Sequence, residues 1–174
     1  VIGEFIFGLG DSLLIAAGVG NTPWTVLAEG IADTTEVWTI GEATFLVSVA
    51  VMFLWIPIKE TPGIGTILNI IIIALTIHVM VPILPQPENP LVSILMASLG
   101  IVLVGIGSCM YLTANLGPGP RDGWMTGLQR TTGIPIGRVR IAIESSVLVI
   151  GIVLGGTFGI GTILFAVTIG PVVA

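Results

Sequence analysis

Leu116-Gly117-Pro118-Gly119-Pro120-Arg121-Asp122-Gly123-Trp124 is the most polar and most constrained stretch between two long apolar runs. Its prolines fix φ and remove backbone donors, and its glycines admit conformations closed to other residues, so the chain unwinds here before a helix restarts. A weaker copy, Val19-Gly20-Asn21-Thr22-Pro23-Trp24, lies earlier. The two copies mark an internal duplication.

At an offset of 97, Gly8, Gly10, Gly20, Pro23 and Gly30 fall on Gly105, Gly107, Gly117, Pro120 and Gly127. After a one-residue deletion, Ile40-Gly41 matches Ile136-Gly137, and Thr61-Pro62-Gly63-Ile64-Gly65-Thr66-Ile67-Leu68 matches Thr157-Phe158-Gly159-Ile160-Gly161-Thr162-Ile163-Leu164. Apolar runs align by chance; glycines and prolines in a shared order do not. The chain divides into a first repeat, 1–84, a Pro-rich connector, 85–90, and a second repeat, 91–174.

The 174 residues are 54% hydrophobic and 9% charged, with mean hydropathy +1.11. A soluble domain carries about a quarter charged residues, so this chain has too few to cover a water-facing surface. Its apolar runs reach about 18 to 22 residues, long enough to cross the hydrocarbon as helix. They are continuous rather than alternating, which argues against a β-barrel. The expectation is an all-α, polytopic membrane protein whose main partner is the lipid bilayer. The single cysteine, Cys109, excludes an internal disulfide framework and a Cys-rich metal site. It reads as a packed thiol within an apolar run.

Six spans are expected: 1–18, 38–58, 64–84, 91–113, 135–154 and 159–174. Short polar helices are expected near 23–32, with Pro23 in the first turn and Thr22 as cap, and near 121–131. Pro85-Gln86-Pro87-Glu88-Asn89-Pro90 holds too many prolines for a helix interior. Each half then has three crossings, an odd number, so the second half is inverted relative to the first. With a cytoplasmic N-terminus, Lys59, Arg121, Arg130, Arg138 and Arg140 fall on one side. Glu29, Asp33, Glu36 and Glu88 fall on the other. The positive-inside rule thus favours six spans, both termini cytoplasmic, and short helices that do not cross. This is the inverted-repeat plan of many transporters, with a site near the midplane between the halves.

From Leu116 to Gly123, through Arg130-Thr131-Thr132-Gly133, Gly137-Arg138-Val139-Arg140 and Ile143-Glu144 to Gly159-Ile160-Gly161-Thr162, the chain resembles the bacterial YczE-like (YitT/YczE-type) integral membrane proteins. The resemblance covers nearly the whole chain, closely in the second half and loosely in the first. It implies a multi-pass protein of the bacterial cytoplasmic (inner) membrane, of transporter or permease character. It implies no substrate and no site residues.

The residues themselves supply candidates. Gly117 and Gly119 unwind the backbone ahead of a short helix whose free N–H groups, with Arg121 and Asp122, form a place for an anion or carboxylate. Asn21 would approach from the paired segment. The competing reading is a cytoplasmic turn capped by Asp122, with Arg121 among headgroups. Arg140 and Glu144 stand i, i+4 on one helix face. Glu144 lies roughly 14 Å into its span at 1.5 Å per residue, so it needs a partner: Arg140, Arg138, or a group near Asp11. Asp11 is either protonated or meets an arginine of the second half. Asp11, Arg138, Arg140 and Glu144 are thus either a coupling set or a buried structural ion-pair network.

His78 reads as hydrogen-bonded packing, because no second histidine completes a metal site. Trp24, Trp38, Trp55 and Trp124 sit near span ends, as interfacial anchors do. The expectation is no enzyme, no cofactor, no metal and no nucleic acid. The leading reading is a small-solute or ion transporter, with a small anionic solute as one candidate. The alternative is a non-transporting subunit, held as a homo-oligomer or in a larger membrane complex by its glycine-rich faces.

Overall fold

The computed structural model describes residues 1–35 and 37–173, with side chains through residue 169. Its elements are helical: α1 Ile2–Ala17, α2 Pro23–Thr35, α3 Ile40–Phe53, α4 Trp55–Ile58, α5 Ile64–Met80, α6 Pro90–Thr113, α7 Pro120–Thr132, α8 Ile136–Val153 and α9 Ile160–Val173. No strand occurs among the described residues. Glu36, counted above with the acidic side, and Ala174, the end of the sixth expected span, lie outside them.

Local chemistry sets the boundaries. α1 stops at Gly18, whose φ of 66° is left-handed, a common helix C-terminus. α3 starts with a capping box: Thr39 Oγ1 accepts from Glu42 N at 3.2 Å, and Thr39 N donates to Glu42 Oε2 at 2.8 Å. α6 begins with the Asn89 side chain accepting from Leu91 N at 2.9 Å, and Pro90 occupies its first turn. α7 runs from Pro120 to left-handed Gly133. α2 extends past the expected Ala32 to Thr35. Thr34 and Thr35 return their hydroxyls to carbonyls of the preceding turn, Thr34 to Gly30 O at 2.7 Å.

Among the described residues, two helices are long and apolar enough to cross a membrane: Ile40–Ile58, which joins α3 and α4 through a turn at Leu54, and Pro90–Thr113. α5 and α9 are shorter and apolar. α1, at 16 residues, is about 24 Å long.

The helices are amphipathic in an inside-out sense. On α5, Ile64, Ile67, Ile71, Leu75 and Val79 are exposed, while Thr66, Asn69 and Thr76 are buried. On α6, Leu91, Leu95, Leu99, Val102 and Ile106 are exposed, while Ser93 and Ser108 are buried. A water-soluble monomer rarely presents so continuous an apolar surface. A hydrocarbon solvent selects it, because the polar groups must then find partners inside.

α1 packs most extensively on α6. A Cβ on Gly3 would meet Gly107 O, and one on Gly10 would meet Gly100 O. The two helices therefore run in opposite directions with their backbones in near contact. The sequence repeat recurs in the hydrogen bonds. Gly65 N donates to Leu116 O at 2.8 Å, and the equivalent Gly161 N donates to Val19 O at 2.8 Å. Gly63 N donates to Thr66 Oγ1 at 3.2 Å, and Gly159 N to Thr162 Oγ1 at 3.3 Å. Gly20 and Gly117 share a left-handed backbone, with φ of 114° and 118°. Each short helix lies on the long helices of the opposite half: α2 on α8, and α7 on α3 and α4.

Candidate functional site

The unwound segments put their polar groups inside. Gly117 carries a φ closed to most side chains, and Pro118 O accepts from Thr66 Oγ1 at 2.7 Å. Gly119 caps α7 without a side-chain bond, and its α-carbon faces Asn69 and Asp122 closely enough that a Cβ would sit 3.1 Å from Asn69 Oδ1. Pro120 O accepts from Trp55 Nε1 at 2.9 Å, which locks the first turn of α7 against α4. Arg121 and Asp122 then project from that turn.

Arg121 and Asp122 line a cavity of about 80 Å³ together with Thr22, Tyr111, Arg140 and Glu144, on apolar walls from Phe7 and Phe165. A volume of this order holds a few waters or one small solute. A second, smaller void of about 20 Å³, bordered by Asn69 and Ser48, adjoins Arg121 and Asp122 on the far side.

The charges in the cavity are unequally satisfied. Arg140 Nε donates to Glu144 Oε1 at 2.9 Å, so the i, i+4 pair expected from the sequence forms. Tyr111 Oη donates to Asp122 Oδ2 at 2.5 Å. Arg121 has neither kind of partner: among the described residues, no carboxylate lies within 4 Å of its guanidinium. Its guanidinium carbon stands 5.2 Å from the centroid of the Trp24 ring instead, a cation–π contact. Burial works against its charge, and Asp11 and Asp122, in that order, act to sustain it.

Asp11 is fully buried on α1. Its Oδ2 accepts from Thr25 Oγ1 at 3.0 Å, and Thr25 Oγ1 in turn lies 2.7 Å from Thr22 Oγ1. Asp11 Oδ1 has no hydrogen-bond partner. Thr22 also caps α2, accepting from Thr25 N at 3.3 Å, as expected. Asp11 thus meets Arg121 of the second half through space, and meets the cavity through two threonine hydroxyls.

The remaining candidates lie elsewhere. Asn21 is buried but does not border the cavity; its Nδ2 donates to Glu29 Oε2 at 2.9 Å. Glu29 also accepts from Thr157 N at 2.7 Å and Thr157 Oγ1 at 2.8 Å, tying α2 to the α8–α9 loop. Arg138 is exposed and outside the cavity. His78 Nδ1 lies 3.0 Å from Thr39 Oγ1, consistent with packing at the α3 cap. Two of the expected interfacial tryptophans are core residues: Trp24 is 5% exposed and Trp55 is 2% exposed. Hydropathy places a tryptophan near a helix end but does not say whether that end is covered, and here the opposite half covers both. Trp38 is exposed, as an anchor would be. No group of three or more His, Cys, Asp or Glu side chains converges on a metal-sized site among the described residues.

Sequence reasoning missed Tyr111, Trp24 as a cation platform, and Thr25. One signal was available for the first. Tyr111 is the single tyrosine, set in an apolar run, and a buried phenol hydroxyl needs a partner.

Comparison with known proteins places the chain in a family. It is 46% identical over 168 residues to an uncharacterized protein of Haemophilus influenzae, covering 97% of this chain and 77% of the relative. It is 34% identical over 173 residues to the uncharacterized membrane protein YczE of Bacillus subtilis, covering 97% and 79%. A third relative, the uncharacterized protein YyaS of Bacillus subtilis, is 28% identical over 176 residues, covering 94% and 83%. No solved structure matches. The model of the family of unknown function DUF6198 matches residues 1–174, and the chain, YczE-like as its loop residues indicate, belongs to that family.

Proposed function

We propose that the protein is a multi-pass transporter of the bacterial cytoplasmic membrane that moves a small anionic solute through the space between its two halves. The observation that carries this reading is Arg121: a half-buried guanidinium on a cavity wall, with no carboxylate within 4 Å among the described residues. A structural arginine in a low-dielectric setting is paired, because leaving it unpaired costs several kcal/mol on the order of a broken buried ion pair. One left facing a void is poised for an anion from solution, and a guanidinium fork suits carboxylate or oxyanion geometry.

The architecture supports the same reading. The contact of Gly3 with Gly107 repeats as Gly100 with Gly10, and these pairs exchange under the sequence repeat. Equivalent helices that touch antiparallel are related by a two-fold axis across them. With α1 along the membrane normal, that axis lies in the membrane plane, the arrangement of inverted-repeat transporters. This arrangement and the basic-residue distribution support a reading with six crossings, two non-crossing helices and cytoplasmic termini. Arg130 pairs with Glu60, next to Lys59, as residues on one membrane face would.

The test is uptake by sealed proteoliposomes of formate, nitrate, chloride and phosphate, with Arg121→Gln as control. Saturable uptake of one anion, lost in Arg121→Gln, is expected. Failure of all four to enter or bind would overturn the reading. A partner chain co-purifying in fixed ratio would then favour the accessory-subunit alternative.

A further inference from the structure

A chain of two hydroxyls runs between the cavity and Asp11, and Thr22 within it also caps α2. Thr22 borders the cavity, its Oγ1 lies 2.7 Å from Thr25 Oγ1, and Thr25 Oγ1 lies 3.0 Å from Asp11 Oδ2. Beyond it, Asp11 is fully buried and its second oxygen is unpartnered. A carboxylate in such a place is expensive as a fixed charge, and where it persists in transporters it marks a proton or ion path.

We propose that Asp11 is the proton-carrying group of the protein, that Thr22 and Thr25 connect it to the cavity, and that one proton on Asp11 accompanies one anion at Arg121. This rests on the anion-transport reading above.

The charge inventory motivates the pairing. Asp11 is on α1; α7 brings Arg121 and Asp122, α6 brings Tyr111, and α8 brings Arg140 and Glu144. α2 brings Thr25, with Thr22 just before it, while its Glu29 is bonded to Asn21 and Thr157. α5 carries His78, at its far end and bonded to Thr39, and α9 has no titratable residue. Among the described residues, three carboxylates therefore face two guanidinium groups. With Asp11 ionised, Arg121 is already offset through space, and an entering anion adds a second excess negative charge to a poorly solvated site. With Asp11 protonated, the carboxylates and guanidinium groups balance, and Arg121 is free to stabilise the anion.

The proton movement balances. A cavity hydronium gives a proton to Thr22 Oγ1, Thr22 passes its own to Thr25 Oγ1, and Thr25 passes its own to Asp11 Oδ2. Asp11 ends neutral, and both threonines keep one proton each. Release reverses the sequence.

The full chain is tested in liposomes with a trapped pH dye and nitrate as probe, since nitrate stays ionised and brings no proton of its own. In the wild type, external acid should drive nitrate accumulation by about tenfold per pH unit at equilibrium, the ratio an electroneutral one-to-one symport supports. Asp11→Asn should lose the acid drive. Thr25→Val should slow the acid-driven arm about tenfold or more, and Thr25→Ser should restore it. Infrared difference spectra of the purified protein provide a readout independent of transport. Acidification should raise a protonated-carboxyl band that Asp11→Asn lacks.

Nitrate uptake indifferent to the pH gradient, with a carboxyl band unchanged in Asp11→Asn, would overturn the proton assignment and leave anion transport standing. No uptake of nitrate, together with a band that Asp11→Asn removes, would overturn the pairing with an anion and retain Asp11 as a proton site. If Asp11→Asn fails to fold, the Thr25 pair decides: equal acid-driven rates in Thr25→Val and Thr25→Ser would overturn the path.

Discussion

Tyr111 donates its hydroxyl to Asp122 Oδ2 at 2.5 Å. Asp122 follows Arg121 in sequence and shares its cavity, yet it faces the tyrosine and stays more than 4 Å from the guanidinium. The phenol therefore holds the neighbouring carboxylate out of direct contact with Arg121, which Asp122 still favours through space. Phe7 meets the Tyr111 ring edge-on, with centroids 6.2 Å apart, and fixes its position.

Removing that hydroxyl should close the site without touching the arginine. In Tyr111→Phe, Asp122 loses its donor and turns to Arg121, which has no carboxylate within 4 Å among the described residues. A hydrogen bond to a charged group contributes about 1.5–3 kcal/mol. Anion binding should therefore weaken by about ten- to a hundredfold in proteoliposome uptake or titration, while the thermal midpoint changes little. Unaltered uptake in Tyr111→Phe would show that Asp122 is held by other means.

Trp24 supplies the other support for Arg121, with the guanidinium 5.2 Å from its ring centroid. A partly desolvated cation–π contact is worth about 0.5–2 kcal/mol. Trp24→Leu should raise the half-saturation concentration of the transported anion several-fold, and Trp24→Phe should fall between leucine and wild type. Equal values for all three would leave Trp24 as core packing against Trp124 and Val47.

Much of this was legible in the sequence, and the reason differs from residue to residue. Gly20 and Gly117 stood out because only a special backbone explains glycine and proline repeating in one order, and both have φ near 115° as a matched pair. Arg140 and Glu144 followed from helical spacing alone. Asp11 could be flagged as expensive, but its Thr25 partner lies on another helix, and no local spacing predicts that. Asn21, expected at the site, lies outside the cavity for the same kind of reason. Thr22 beside it borders the cavity, but the Asn21 side chain turns to Glu29. Trp24 and Trp55 read as anchors because hydropathy sees a helix end and not what the opposite half lays over it.

The paired left-handed glycines give a stability prediction that needs no ligand. A Cβ on Gly20 would stand 2.5 Å from Gly159 N, and one on Gly117 would stand 2.8 Å from Thr66 Oγ1. Each alanine also inherits a φ that costs about 1–3 kcal/mol. Both Gly20→Ala and Gly117→Ala should lower the thermal midpoint in mild detergent. Gly20→Ala should be the worse, because its nearest wall is backbone and cannot rotate away. Gly137, with nothing within 4 Å of its Cβ position in α8, is the control; its alanine should be neutral or up to about 1 kcal/mol stabilising. A midpoint in Gly20→Ala equal to wild type would mean that the α8–α9 loop yields at this contact.

The two ties between short helices and the opposite half should differ in strength. Glu29 accepts from Asn21 Nδ2, Thr157 N and Thr157 Oγ1, all at 2.9 Å or less, in a half-buried position. Glu29→Ala leaves three donors without that acceptor, and each hydrogen bond to a charged group is worth about 1.5–3 kcal/mol. A loss of about 2–4 kcal/mol is expected, because water reaches part of the vacated position. Arg130 pairs with Glu60 from a side chain that is 63% exposed, where ion pairs contribute about 0–1 kcal/mol and are screened by salt. Arg130→Gln should therefore shift the unfolding midpoint little, and less still at high ionic strength. Equal destabilisation by the two substitutions would place Arg130 in a drier setting than its exposure implies, and would make the α7 tie a structural counterpart of the α2 tie rather than a surface contact.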